Sequence, residues 1–176
     1  IGISLGMSSN DEVIIPNRTW IATAHSFSIL GVRIRIADVN DNSIINEDDV
    51  SRLITTKTKA VVCVSLNGRT AVTSKIIDLC AKYGLTLIED CAQSAGCDHH
   101  VSFSTSKGVN HIRAYSFSMT KLISAGQGGM VLVEDADLAT KIRANRVHGI
   151  MSPDVITSWE QLGGNKGGCA IVTAEV

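Results

Sequence analysis

Three kinds of reactive side chain lie near the ends of successive apolar segments. Asp90 ends the segment LTLIED, Ser116 and Ser118 lie in IRAYSFS, and Lys121 follows that segment. Short β-prone runs indicate strands, and neighbouring parallel strands present their carboxyl ends at one sheet edge, about 5 Å apart. If these two strands are neighbours, an acid, two hydroxyls and an amine converge on one crevice.

The chemistry of these groups fits one cofactor. An ionised carboxylate can hold a protonated ring nitrogen, an amine can form a Schiff base with an aldehyde, and a serine hydroxyl can donate to a phosphate. Pyridoxal phosphate contains all three of these partner groups: a ring nitrogen, an aldehyde and a phosphate. It acts as an electron sink. The flat face of its ring needs an apolar or aromatic cover, and Trp20, at the start of an expected helix, is a candidate.

Five longer segments carry a family resemblance. In chain order they are DEVIIPNRTWIATAHSFSILG, TKAVVCVSLNGR, GLTLIEDCAQSAG, AYSFSMTKLISAGQGGMVLV and IRANRVHG. Over about residues 10–149 the chain resembles the DegT/DnrJ/EryC1 family of sugar aminotransferases. The resemblance implies fold type I, that of aspartate aminotransferase, whose large domain is α/β with three layers: a mainly parallel sheet and helices on both faces.

The resemblance also implies a role for each matching residue. Lys121 and Asp90 are the implied catalytic residues: Lys121 binds the cofactor as a Schiff base and later moves a proton, and Asp90 keeps the ring nitrogen protonated. Trp20 would stack on the ring, and Gln93 would lie near its phenolic oxygen. Ser116 would bind the phosphate, although Ser118 shares its strand face.

A reaction and partners follow from the same resemblance. The implied reaction moves an amino group, with glutamate as the expected donor, to a nucleotide-linked keto-sugar through pyridoxamine phosphate. Related dehydratases carry His where this chain has Lys121, so the lysine favours transamination. Enzymes of this kind are dimers with the active site at the subunit boundary, and we therefore expect a homodimer.

The resemblance has gaps that leave an alternative open. Gln127 stands where the family more often has an acid, and the family's phosphate-binding Gly-Thr/Ser-Ala segment is expected upstream of residue 1, with the first strand. Residues 1–150 are thus predicted to be an N-terminally incomplete large domain, and 151–176 a diverged or partial C-terminal segment without the small domain. The alternative function is that of an inactive fragment with a structural or binding role.

Apolar periodicity predicts the elements that must position these residues. Expected strands cover residues 11–16, 33–39, 59–66, 85–90, 112–118 and the segment GGMVLV, the last antiparallel by resemblance. Expected helices cover residues 19–31, 71–84 and 135–149, and Asn46 is expected to cap another. Because neighbours on a strand alternate between faces, Glu89 is expected to point away from the side on which Asp90 lies.

Composition excludes several other classes of protein. The 16 basic and 17 acidic residues leave a net charge of −1. The chain therefore lacks the excess of basic residues that is typical of proteins that bind nucleic acid or an anionic membrane. Five scattered cysteines without C-x-x-C spacing indicate reduced thiols in a cytoplasmic protein. The adjacent pair His99 and His100 lacks a third ligand, so no metal site is expected.

Overall fold

The computed structural model describes residues 1–97, 108–146 and 170–174, which form one seven-stranded sheet with helices. The strands are β1 (Glu12–Pro16), β2 (Arg33–Ala37), β3 (Thr58–Val64), β4 (Thr86–Asp90), β5 (His111–Ser116), β6 (Gly129–Val133) and β7 (Ala170–Ala174). The helices are α1 (Ile21–Ser28), α2 (Glu47–Leu53), α3 (Ser74–Tyr83) and α4 (Ala136–Arg146). None of these helices is long and apolar enough to cross a bilayer.

The sheet order is β2-β1-β3-β4-β5-β6-β7, with its first five strands parallel. The strands β6 and β7 then add in antiparallel fashion, which confirms the antiparallel expectation for GGMVLV. The order reverses between β1 and β3, and this is where doubly wound sheets open a crevice at the carboxyl ends of their strands.

Two separate apolar clusters show that helices cover both faces of the sheet. One cluster contains Phe27 of α1 and Ile142 of α4, packed on alternate residues of the central strands such as Val62. The other contains Ile76 of α3, packed on the opposite set of residues such as Val61. The predicted three-layer α/β class is therefore confirmed, because apolar side chains of the central strands are buried on both faces.

Two residues that were predicted to mark helix ends, Asn46 and Gly84, do so in the structure. The side chain of Asn46 accepts hydrogen bonds from the backbone N–H groups of Asp48 and Asp49 at the start of α2. At the end of α3, Gly84 has a φ of 63°, a left-handed conformation that a residue without Cβ adopts at little cost.

Other boundaries differ from the predictions. Helix α1 begins at Ile21 rather than Thr19, because Trp20 is extended and the Thr19 hydroxyl bonds to Thr23 instead of capping. Helix α3 begins at Ser74 rather than residue 71, since Thr73 caps it. Strands β2, β3 and β5 end two residues before the predicted 39, 66 and 118.

The C-terminal part of the sheet contains a strand that periodicity did not predict. Residues 170–174 pair with the whole of β6, which makes seven strands where six were expected. The predicted domain boundary at residue 150 stays a prediction.

Candidate active site

An open cleft of about 510 Å³ lies at the carboxyl ends of the parallel strands. The segment after β1, the last residues of β3, β4 and β5, and the loop after β5 all contribute to its wall. All five predicted site residues line it: Trp20, Asp90, Gln93, Ser116 and Lys121. The sheet order explains this, because β4 and β5 pair directly and bring Asp90 beside Ala114, two residues before Ser116.

Asp90, the last residue of β4, is half-buried and has one described hydrogen bond at each carboxylate oxygen. The Thr23 hydroxyl of α1 donates to Oδ2 at 2.8 Å, and the backbone N–H of Ala92 donates to Oδ1 at 3.1 Å. Each carboxylate oxygen has about two lone pairs, so the group can accept a further donor from the cleft. The first turn of α1 also favours a negative charge at this position.

Glu89 lies on the opposite face of β4 and is fully buried, in agreement with the predicted alternation. It accepts hydrogen bonds from Ser65 Oγ at 2.7 Å and from Arg113 Nε at 2.8 Å, and His111 Nε2 lies 3.4 Å away. Burial by itself would raise the pKa of Glu89, but hydrogen bonds from His111, Ser65 and Arg113 outweigh it and lower the pKa to about 2. We refer to these four residues as the Glu89 cluster.

Lys121 lies in the loop that joins β5 to β6. The loop is closed at its base by two backbone hydrogen bonds, from Phe117 N to Gly128 O and from Ala125 N to Phe117 O, both 2.9 Å long. Within it, Lys121 N donates to Ser118 O at 3.0 Å, which forms a tight turn. The half-buried lysine is thus held at the wall of the cleft by a hairpin.

The strands at the base of this hairpin approach each other closely. A Cβ on Gly129, the residue opposite Ser116, would lie 3.0 Å from the Tyr115 carbonyl oxygen. Such a contact is tighter than nine in ten real Cβ contacts, so any larger residue at this position would push the Tyr115 carbonyl aside by a few tenths of an ångström. The pairing of Ser116 with Gly129 places Ser116 at the cleft, and Ser118 lines the cleft wall from the loop.

Trp20 and Gln93 lie on the outer parts of the cleft. The indole of Trp20 is 71% exposed, and it therefore contributes little to the core. The Oε1 atom of Gln93 accepts a hydrogen bond from Asn67 N at 3.1 Å, which ties the turn after β4 to the segment after β3.

The cleft fits the expected cofactor in size and in donor chemistry. Sites for small molecules and cofactors occupy about 300–1,000 Å³. Asp90 offers acceptor capacity for a ring N–H, Lys121 offers an amine, and Ser116 offers a hydroxyl donor. No group of His, Cys, Asp and Glu side chains in the described ranges has the arrangement of a metal site.

The hydroxyl contacts of Asp90 were missed by sequence reasoning. Thr19 and Thr23 line the same cleft and form a hydrogen bond of 2.7 Å between their hydroxyls. The two threonines are four residues apart in the segment TWIAT, at the start of a predicted helix. This spacing places two side chains on the same face of a helix and could have predicted their contact. The predictions concerning His99, His100 and the whole segment 151–169 fall outside the described residues.

Comparison with known proteins agrees with this geometry. The model of the DegT/DnrJ/EryC1/StrS aminotransferase family matches residues 3–169, which is most of the chain. The chain belongs to this family. The resemblance predicted from its five segments is therefore confirmed, and pyridoxal phosphate is the cofactor of the family's aminotransferases.

Individual relatives show how much of their own length this chain matches. GDP-perosamine synthase of Caulobacter vibrioides is 35% identical over 150 residues, which are 84% of this chain and 40% of that protein. The solved aminotransferase of Psychrobacter cryohalolentis is 34% identical with a TM-score of 0.76, over 89% of this chain and 40% of that one. DesI, solved with its TDP-sugar product, is 31% identical with a TM-score of 0.73, over 98% and 43% respectively. The chain thus spans about two fifths of the length of these relatives.

Proposed function

We propose that this chain provides the cofactor site of a pyridoxal-phosphate-dependent aminotransferase whose amino acceptor is a nucleotide-linked keto-sugar. The observation that carries the proposal is the single cleft lined by Trp20, Asp90, Gln93, Ser116 and Lys121. Two relatives support the substrate class: one is a GDP-perosamine synthase, and DesI was solved with a TDP-sugar product.

In this proposal each of the five predicted residues of the cleft has a defined role. Bound pyridoxal phosphate supplies an electron sink for the electron pair that remains when a substrate carbon loses its proton. Lys121 attaches the cofactor through Nζ and, once displaced by the substrate amine, carries that proton. Asp90 accepts the ring N–H and so keeps the ring cationic, because its charge stabilises a protonated nitrogen nearby.

The remaining residues bind and orient the ring. Trp20 covers one ring face with its indole, which is exposed at the cleft. Gln93 donates through its side-chain NH₂ group to the phenolic oxygen, and Ser116 donates to the phosphate. Ser118 remains the second candidate for the phosphate, since it also lines the cleft.

The proposal includes glutamate as the amino donor, a homodimer and a cytoplasmic location. Glutamate and the dimer rest on the family resemblance. The location is supported by the free thiols of Cys63, Cys80, Cys91 and Cys97, since such thiols are typical of reducing compartments.

The first test is an absorbance spectrum of the purified protein mixed with pyridoxal phosphate, followed by borohydride reduction. We expect a band near the edge of the visible range and, after reduction, a cofactor mass fixed on the peptide that contains Lys121. The variant Lys121→Ala should lose both signals. Lys141→Ala removes an exposed lysine from α4 and should keep them.

The result also decides between the two functions left open by the sequence. A positive result justifies assays with glutamate and nucleotide-linked keto-sugars. A folded protein without the band, or with a band that survives in Lys121→Ala, would contradict the proposal. The absence of any band would favour a non-catalytic structural or binding role.

A further inference from the structure

The carboxylate of Asp90 ends a short chain of hydroxyl groups from α1. Thr23 Oγ1 lies 2.8 Å from Asp90 Oδ2, and Thr19 Oγ1 lies 2.7 Å from Thr23 Oγ1. Asp90 lies 67 residues after Thr23, so this contact is made by the tertiary fold. Thr23 is only 8% exposed, yet it forms part of the cleft wall.

The acceptor determines the direction of every hydrogen in the chain. An ionised carboxylate only accepts hydrogen bonds, so the Thr23 hydroxyl must donate to Asp90. That hydroxyl has a single proton, and Thr19 must therefore donate to Thr23. Successive O–H groups aligned in one direction polarise and strengthen one another, above all where solvent is excluded.

These contacts restrict how the Asp90 carboxylate can rotate. Thr23 holds Oδ2 from α1, and the N–H of Ala92 holds Oδ1 from the turn after β4. Two donors on different elements define the plane of the carboxylate, and the lone pairs that remain can accept a donor from the cleft. A rotation about the side-chain bonds would break one or both bonds.

We propose that Thr23 is a positioning residue, whose hydroxyl, supported by Thr19, orients the Asp90 carboxylate to receive the ring N–H of the cofactor. This inference rests on the proposed function and extends it to residues that do not carry the chemistry. The role belongs to the hydroxyl rather than to the packing of the side chain, because valine has nearly the same shape as threonine but cannot donate.

The test uses Thr23→Val, Thr23→Ser and the control Ser28→Ala. Ser28 is also a hydroxyl residue of α1, but it is exposed, and the one described hydrogen bond of its hydroxyl is to the His25 carbonyl. The probe is 4′-deoxypyridoxine 5′-phosphate, which keeps the ring nitrogen and the phosphate but has no aldehyde to react with Lys121. Its affinity, measured by calorimetry, reports on non-covalent recognition of the ring.

We expect Thr23→Val to weaken binding of the probe about fivefold to tenfold, the usual effect of one hydrogen bond. Thr23→Ser should stay within about twofold of the wild type because it keeps the donor, and Ser28→Ala should bind normally. In an Asp90→Asn background, Thr23→Val should have little further effect, because the carboxylate that it orients is gone.

The outcomes separate this inference from the proposed function. A wild-type protein that binds neither the probe nor pyridoxal phosphate would overturn both. Wild-type binding that Thr23→Val leaves unchanged would overturn only the role of Thr23. An equal loss in the wild-type and Asp90→Asn backgrounds, together with a lower denaturation midpoint, would assign Thr23 a merely structural role and also overturn the inference.

Discussion

Two carboxylates occupy neighbouring positions at the end of β4 and meet opposite environments. Glu89 is fully buried against Ser65, Arg113 and His111, on the face covered by α3. Asp90 is half-buried, faces α1 and forms part of the wall of the open cleft. Both are acids and they are adjacent in the sequence, but they lie on opposite faces because successive residues of a strand alternate.

The difference in environment gives the two acids different roles. The charge of Glu89 is compensated by a buried arginine, and its pKa is lowered to about 2, so it stays ionised as part of the structure. Asp90 retains accepting capacity toward the cleft, and a ligand can use it. Glu89 is therefore expected to govern stability, and Asp90 is expected to govern cofactor binding.

The largest expected effect is the loss of stability in Glu89→Ala. Removal of this carboxylate leaves Arg113 buried without its ion-pair partner, and breaking a buried pair in this way costs about 3–5 kcal/mol. Asp90→Ala should cost less, about 1–2 kcal/mol, because the half-buried carboxylate is bonded in the described structure to two neutral donors, the Thr23 hydroxyl and the Ala92 N–H. Urea denaturation followed by circular dichroism measures the loss of stability in both variants. Equal losses would contradict the different roles of the two acids.

Acid titration should show the next largest effect. The pKa of Glu89 is lower in the folded protein, about 2, than its ordinary value of 4.5, so the folded state binds fewer protons in this range. Its stabilising contribution is complete above about pH 4.5 and is lost as the pH falls toward 2, by about 3 kcal/mol at most. The free energy of unfolding of the wild type should therefore fall more steeply in this window than that of Glu89→Gln, and parallel curves would refute the assignment.

Asp90→Asn should weaken cofactor binding without a comparable loss of stability. A hydrogen bond to a charged group contributes about 1.5–3 kcal/mol, so the affinity for pyridoxal phosphate should fall about 10-fold to 100-fold. Asp78→Asn changes an exposed aspartate of α3 and serves as the matched control. An absorbance titration measures the affinity, and a similar loss in both variants would show that Asp90 has no special role.

The smallest effect concerns one member of the Glu89 cluster. The Ser65 hydroxyl donates to Glu89 and accepts from Ala71 N at 3.3 Å, so Ser65→Ala should cost about 1–2 kcal/mol of stability. It should also raise the pKa of Glu89 from about 2, because one stabilising donor is lost. Cofactor affinity should not change, and a change in it would show that the two faces of β4 are coupled.

Local patterns in the sequence were sufficient for much of the fold. Alternating periods and end signals such as Asn46 and Gly84 located most strands and helices, because these signals act within one or two turns of chain. The strand β7 was missed because the segment around it, rich in glycine, has no period of its own. It forms part of the sheet by pairing with β6, a contact distant in sequence.

The residues available for chemistry can be identified from the sequence: an acid at a strand end, an amide in the following turn, and serines and a lysine around the next strand. Residue types and their order along the chain contain that information. The contact of Asp90 with Thr23 from α1, and the contacts of Glu89 with Ser65 and Arg113 on the other face, depend on the folded structure. The physical reason is that these partners are 24 to 67 residues apart, and strand order and helix packing bring them together.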